Sequence, residues 1–103
     1  LTALFVLLAV APFALAEWSI EDVDSPREID RGSLELDPLG NPAVAYGYDV
    51  LVLARWNGTN WDIQVLDSVG SVGSGSSLVL DTAGNPVIAY YGGTGGVSNL
   101  KLA

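Results

Sequence analysis

Carboxylates are the main chemically competent groups in this 103-residue chain, and two of them recur in one setting. Asp37 opens the run Asp37-Pro38-Leu39-Gly40-Asn41-Pro42, and Asp81 opens Asp81-Thr82-Ala83-Gly84-Asn85-Pro86. Such a group can ligate Ca²⁺, which favours hard oxygen donors, or serve as half of an acid–base pair. The simpler role is to accept backbone N–H groups within its own turn. Asp24 and Asp67 are read the same way. A denser acidic stretch holds Glu17, Glu21, Asp22, Asp24, Glu28 and Asp30. It lacks the spacing of an EF-hand, so a solvated acidic face is the simpler reading and a weak Ca²⁺ site the alternative. Trp18, Trp56 and Trp61 can stack on sugar rings, but Trp18 and Trp61 share a repeat position, as do Tyr46 and Tyr90. Recurrence in phase points to packing.

The missing residue types narrow the chemistry. There is no Cys, so there are no disulfides, thiolate metal sites or thiol nucleophiles. There is no His, which removes Ser-His-Asp triads, His-ligated zinc and imidazole acid–base catalysis. Twelve acidic residues against four basic ones give a net charge of −8, which opposes binding to nucleic acid and docking on anionic lipid. No metal site is assigned and no cofactor is required.

The elements that would position these groups follow from an internal repeat. Ser33-Leu34-Glu35-Leu36-Asp37-Pro38-Leu39-Gly40-Asn41-Pro42-Ala43-Val44-Ala45-Tyr46 returns 44 residues later as Ser77-Leu78-Val79-Leu80-Asp81-Thr82-Ala83-Gly84-Asn85-Pro86-Val87-Ile88-Ala89-Tyr90. Nine of the fourteen positions are identical, too many for coincidence in so short a chain. Trp18–Ser25 matches Trp61–Ser68 at an offset of 43, and Leu51–Ala54 matches Leu100–Ala103 at 49. Each unit reads as four short strands. Leu34 and Leu36 alternate with Glu35 in the first, 43–46 form the second, 51–56 the third and 61–66 the fourth. Between the first two, Gly40 supplies a positive φ, and Pro42 sits at a strand start because it cannot donate to a ladder. Asn57-Gly58 signals a hairpin, which alone explains the glycosylation pattern Asn57-Gly58-Thr59. The predicted class is all-β, built of four-stranded antiparallel sheets.

Four strands in forty-odd residues is the repeat of a β-propeller blade. The pattern S-L-x-L-D-x-x-G-N-P-x-x-A-Y, followed by L-x-x-A-R-W-N-G-x-x-W-x-I-x-x-V-D-S here, resembles the propeller repeats of secreted bacterial proteins, allied to the neuraminidase-type and WD-like repeats. The turn spacing Asp-x-x-Gly departs from the Asp-x-Gly of the sialidase turn. The resemblance implies an incomplete ring over residues 17–103. In it 18–24 is the outer strand of a preceding or ring-closing blade, 33–67 a complete blade and 77–103 an incomplete one. The chain is then expected to be a piece of a longer protein, with the missing blades as partners.

Residues 1–16, LTALFVLLAVAPFALA, are fourteen-sixteenths apolar and uncharged, and end in the small-x-small pattern Ala14-Leu15-Ala16. They read as a helical signal peptide lacking its basic start, too short for a usual span. The expected location is therefore outside the cell or in its envelope, with no stable membrane insertion after cleavage. Functional candidates are the non-repeated residues at one loop end, namely Tyr48, Asp49, Tyr91, Thr94, Arg27 and Arg31. The expected function is non-enzymatic binding or scaffolding, with an extracellular glycan or protein as ligand. The alternative is part of a propeller-based glycoside hydrolase or polysaccharide lyase.

Overall fold

The computed structural model describes residues 17–25 and 27–103; the expected signal peptide lies outside the described residues. The described chain is all-β, without a helix, and consists of two antiparallel sheets that do not close on each other. The first is a meander of β1 (Arg31–Leu36), β2 (Pro42–Gly47), β3 (Leu51–Trp56) and β4 (Trp61–Asp67). The second contains β5 (Ser71–Val72), β6 (Ser77–Leu80), β7 (Pro86–Thr94) and β8 (Val97–Leu102). β5 and β6 share one edge of β7, and β8 pairs along the other.

The repeat in sequence is a repeat in register. Leu34 opposes Val44, and Leu78 opposes Ile88; Leu36 opposes Pro42, and Leu80 opposes Pro86. The turns between them are also copies. Gly40 and Gly84 have φ of 84° and 83°, a region L side chains avoid. Both turns close with the glycine N–H donating to the Asp carbonyl at 2.9 Å.

Strand alternation gives each sheet two faces, and the sheets stack by unlike faces. Ala43, Ala45, Leu51 and Leu53 of the first sheet form one buried cluster with Leu78, Ile88, Tyr90 and Val72 of the second. Small Ala residues on one side make room for Leu, Ile and Tyr on the other. The opposite face of the first sheet carries Tyr46, Val52 and Ala54, covered in part by Val23 and Trp61. A bulge in the β3–β4 ladder pairs Leu51 with Asp67 but Val52 with Val65. It interrupts the alternation of β4, so that Leu66 packs on the shared core while Asp67 reaches Tyr90.

Polar bonds tie the stack at three further places. Leu78 N–H donates to Ser33 Oγ at 3.1 Å, Ser74 Oγ donates to Asp30 Oδ2 at 2.6 Å, and Arg55 Nη2 donates to the Gly84 carbonyl at 2.9 Å. β1 consequently lies against β6.

Two sequence expectations differ from the structure. Residues 18–24 form no strand, and Trp18 is 96% exposed. An extended segment becomes a strand only beside an edge that accepts its hydrogen bonds, and among the described residues none pairs with this one. The Gly-rich stretch after Tyr90, expected as a loop, continues β7 to Thr94 instead. It stays extended because β5 and β8 pair with it on both sides. Gly95 and Gly96, with φ of 60° and 77°, then make a two-residue hairpin turn that demands positive φ twice.

Candidate functional site

Two sets of polar groups stand out, one repeated and one not. The repeated set is a tyrosine, a carboxylate and a cation. Tyr90 Oη donates to Asp67 Oδ2 at 2.7 Å, and Lys101 Nζ donates to the same oxygen at 2.7 Å. One unit earlier, Tyr46 Oη donates to Asp24 Oδ2 at 2.8 Å, and Arg27 Nε donates to that oxygen at 2.6 Å. Both rings are buried, so each hydroxyl meets its carboxylate at the edge of an apolar layer.

The electrostatics follow from this geometry. The Lys101 ammonium, together with the Val69 N–H and the Tyr90 hydroxyl, holds Asp67 down to about 2. The Tyr46 hydroxyl and the Arg27 guanidinium hold Asp24 below the usual carboxylate range. The neighbouring carboxylate raises Tyr90, while burial and then the Asp24 bond raise Tyr46. Asp67 raises Lys101 in turn. Each tyrosine therefore keeps its proton and each aspartate its charge. This arrangement latches structure; a general acid or base would need a proton free to move near neutral pH.

The turn carboxylates are also engaged. Asp37 Oδ1 accepts from Leu39 N–H at 2.9 Å and Asn41 N–H at 2.8 Å, and Asp81 Oδ1 accepts from Ala83 and Asn85 at the same two distances. The side-chain amides of Asn41 and Asn85 donate to the second oxygens. These bonds hold Asp37 and Asp81 below their ordinary range, the Asn41 and Asn85 N–H groups contributing most. Pro42 and Pro86 open the strands that follow. Among the described residues, no cluster of three or more Asp or Glu side chains is placed to hold a metal ion.

The non-repeated set lies at the β7–β8 end. A cleft of about 490 Å³ is lined by Tyr91, Thr94 and Ser98 together with Gly70, Ser71 and the Gly93–Val97 backbone. Tyr91 is half-exposed, and its hydroxyl hydrogen-bonds to Ser98 Oγ. Gly93 forms part of the wall, and a Cβ there would fall on the Val97 carbonyl oxygen. The cleft thus needs Gly93 to exist in this shape.

The six candidates from the sequence are only partly brought together. Tyr91 and Thr94 share the cleft, as strand residues rather than loop residues. Arg31 opens β1 opposite Gly47, and Tyr48 and Asp49 form the adjoining β2–β3 connection, outside that cleft. Arg27 is committed to Asp24. Trp18 and Trp61, expected to share a packing role, do not: Trp61 meets Trp56 edge-to-face with ring centroids 5.6 Å apart, whereas Trp18 projects into solvent. Sequence reasoning missed Ser98, because a lone serine carries no spacing signal. It missed the Tyr–Asp bonds although both partners recur, since each residue had a sufficient local explanation.

No family model, curated protein or solved structure matches this chain.

Proposed function

We propose that this chain is a secreted or envelope-located β-propeller-type repeat protein that binds an extracellular glycan or protein without catalysis, the two sheets being successive blades. The observation that carries the reading is the stacking of two sheets related by one 44-residue repeat, unlike face on unlike face, with the same Tyr–Asp latch in each unit. Stacked blades bury their faces in this manner. The leader-like run at residues 1–16 supports export.

Of the two ligand classes, the cleft favours a glycan. It offers one exposed aromatic ring, Tyr91, next to the hydroxyls of Ser98 and Thr94 and to backbone groups left bare by glycine. An aromatic face with flanking hydrogen-bonding groups suits a sugar ring, and the volume lies within the range of small-ligand sites. The net charge of −8 favours neutral sugars over anionic ones.

A glycan array with the purified chain tests the reading, repeated with Tyr91→Ala. Binding to a neutral glycan that weakens at least tenfold in the variant is expected. Binding unaffected by the substitution, or no binding to any glycan, would remove this assignment of the cleft.

A further inference from the structure

We infer that Asn57 is a self-modification site. Its side-chain amide is lost as ammonia through a cyclic imide formed with Gly58, leaving aspartate or isoaspartate at the tip of the β3–β4 hairpin. The inference rests on that hairpin and not on the ligand assigned to the cleft.

The sequence singles out one of five asparagines. The reaction uses the backbone nitrogen of the following residue as nucleophile, and that nitrogen must have a proton to give up. Asn41 and Asn85 precede Pro42 and Pro86, whose nitrogens carry none. Asn60 and Asn99 precede Trp61 and Leu100, bulky residues set in the ladders opposite Trp56 and Tyr91. Asn57 is followed by Gly58, which has no side chain to crowd the approach. Among the described residues, nothing lies within 4 Å of the place a Cβ on Gly58 would take. Residues 57–60 are all exposed, so water reaches the site.

The hairpin also surrounds the reacting amide with suitable groups. Asn57 Oδ1 accepts the N–H groups of Thr59 and Asn60, both at 2.9 Å. Attack at Cγ turns that oxygen into an oxyanion, and donors already aimed at it favour the charged state over the neutral amide. Asn57 Nδ2 donates to Asp62 Oδ2 at 3.3 Å. The leaving nitrogen therefore sits beside a carboxylate as it takes on a proton.

Water is the only co-reactant. The Gly58 nitrogen bonds to Asn57 Cγ and gives its proton to water, while the carbonyl electron pair moves onto Oδ1. When that pair returns, the Cγ–Nδ2 bond breaks and the nitrogen leaves as ammonia with a proton drawn from water. A water molecule then opens the imide ring, at the side-chain carbonyl to give aspartate or at the main-chain carbonyl to give isoaspartate. The product alters its surroundings. The bond from Nδ2 to Asp62 becomes a contact between like charges, and the crevice of about 470 Å³ that Asn57 lines with Arg55, Asp62 and Gln64 becomes more acidic. Isoaspartate also lengthens the backbone within a turn closed by the Asn57 N–H on the Asn60 carbonyl at 3.0 Å.

Incubation of the folded chain near neutral pH, followed by peptide mapping with enzymatic methylation of isoaspartate, tests this. Conversion at Asn57 should outpace that at Asn60 and Asn99 by at least about tenfold, with Asn41 and Asn85 unchanged. Isoaspartate should appear at position 57, because direct hydrolysis of the side chain yields aspartate alone. The folded chain should convert within about tenfold of the rate of a denaturant-unfolded sample. Conversion spread evenly over Asn57, Asn60 and Asn99, aspartate without isoaspartate, or an Asn57 that stays intact when folded while the unfolded sample converts would each overturn the proposal.

Discussion

Asp67, the last residue of β4, accepts the hydroxyl proton of Tyr90, in the second strand of the following unit, across 2.7 Å. The bond joins a residue at the end of one sheet to a ring buried between the two. It fixes where the outer strand of one unit lies over the face of the next. Because the β3–β4 bulge is what brings Asp67 to that side, the irregularity in the ladder is part of the latch.

Removing the hydroxyl should loosen the stack without changing its packing. Tyr90→Phe keeps the ring in place but leaves Asp67 with one bond fewer. A loss of about 1.5 kcal/mol is expected, the low end for a hydrogen bond to a charged acceptor, read as a lower urea midpoint at unchanged slope. An unchanged midpoint would show that the bond contributes nothing.

Stability should fall on acidification. Asp67 is held near 2 in the folded chain, below the ordinary unfolded value of about 3.9. A carboxyl depressed by folding contributes stability that is present above the unfolded value and disappears as pH drops through the folded one. Asp24, Asp37 and Asp81 are shifted the same way. Urea midpoints should therefore decline from about pH 4 to about pH 2, and Asp67→Asn should flatten that decline. Midpoints that rise in this window would reverse the sign. At the alkaline end the raised tyrosines act oppositely. Their contribution is complete below the ordinary tyrosine value of about 10 and fades as pH climbs through the raised one.

The two Asp-x-x-Gly turns should respond alike to one substitution. Gly84 has φ of 83°, and a side chain in that region costs about 1 kcal/mol. Gly84→Ala should lower the urea midpoint accordingly, and Gly40→Ala should do the same. Asp81→Ala should lower it too, because it leaves the Ala83 and Asn85 N–H groups without their acceptor. A neutral glycine substitution would mean that the turn readily adopts another form.

One substitution should raise stability. Ser76 is buried, and among the described residues its hydroxyl has no hydrogen-bond partner, while the corresponding position one unit earlier is Gly32. Ser76→Ala removes an unpaired polar atom from the interior, and a gain of about 1 kcal/mol is expected. Thermal unfolding of the two proteins side by side checks it, and a lower melting temperature in the variant would contradict it.

The first unit was legible nearly residue by residue. Leu34-Glu35-Leu36 alternates, Asp37 to Pro42 can only turn, and Asn57-Gly58 forces a hairpin, so β2 to β4 lie within one residue of their expected bounds, while β1 begins at Arg31, three residues before the alternation. The second unit was less legible because neighbours decided it. Gly92 and Gly93 read as loop by composition, yet pairing on both edges keeps them extended. Trp18–Asp24 showed the opposite failure: likeness to β4 identifies the segment but does not supply the edge it would pair with. In the site, the tyrosines and aspartates were visible as recurring residues, but the pairing with cations was not: Arg27 reads as a ligand-binding candidate and Lys101 is not singled out. Arg27 and Lys101 reach equivalent carboxylates from unrelated positions in the repeat.

The stacking of the two sheets by unlike faces underlies both the shared core and the Tyr–Asp latch. Methyl nuclear Overhauser spectra of the chain measure it directly. Cross-peaks should link the methyls of Leu51 or Leu53 to those of Leu78 or Ile88, which no single sheet can bring together. Cross-peaks confined to each sheet, with Leu78 as open to solvent as Leu34, would contradict it.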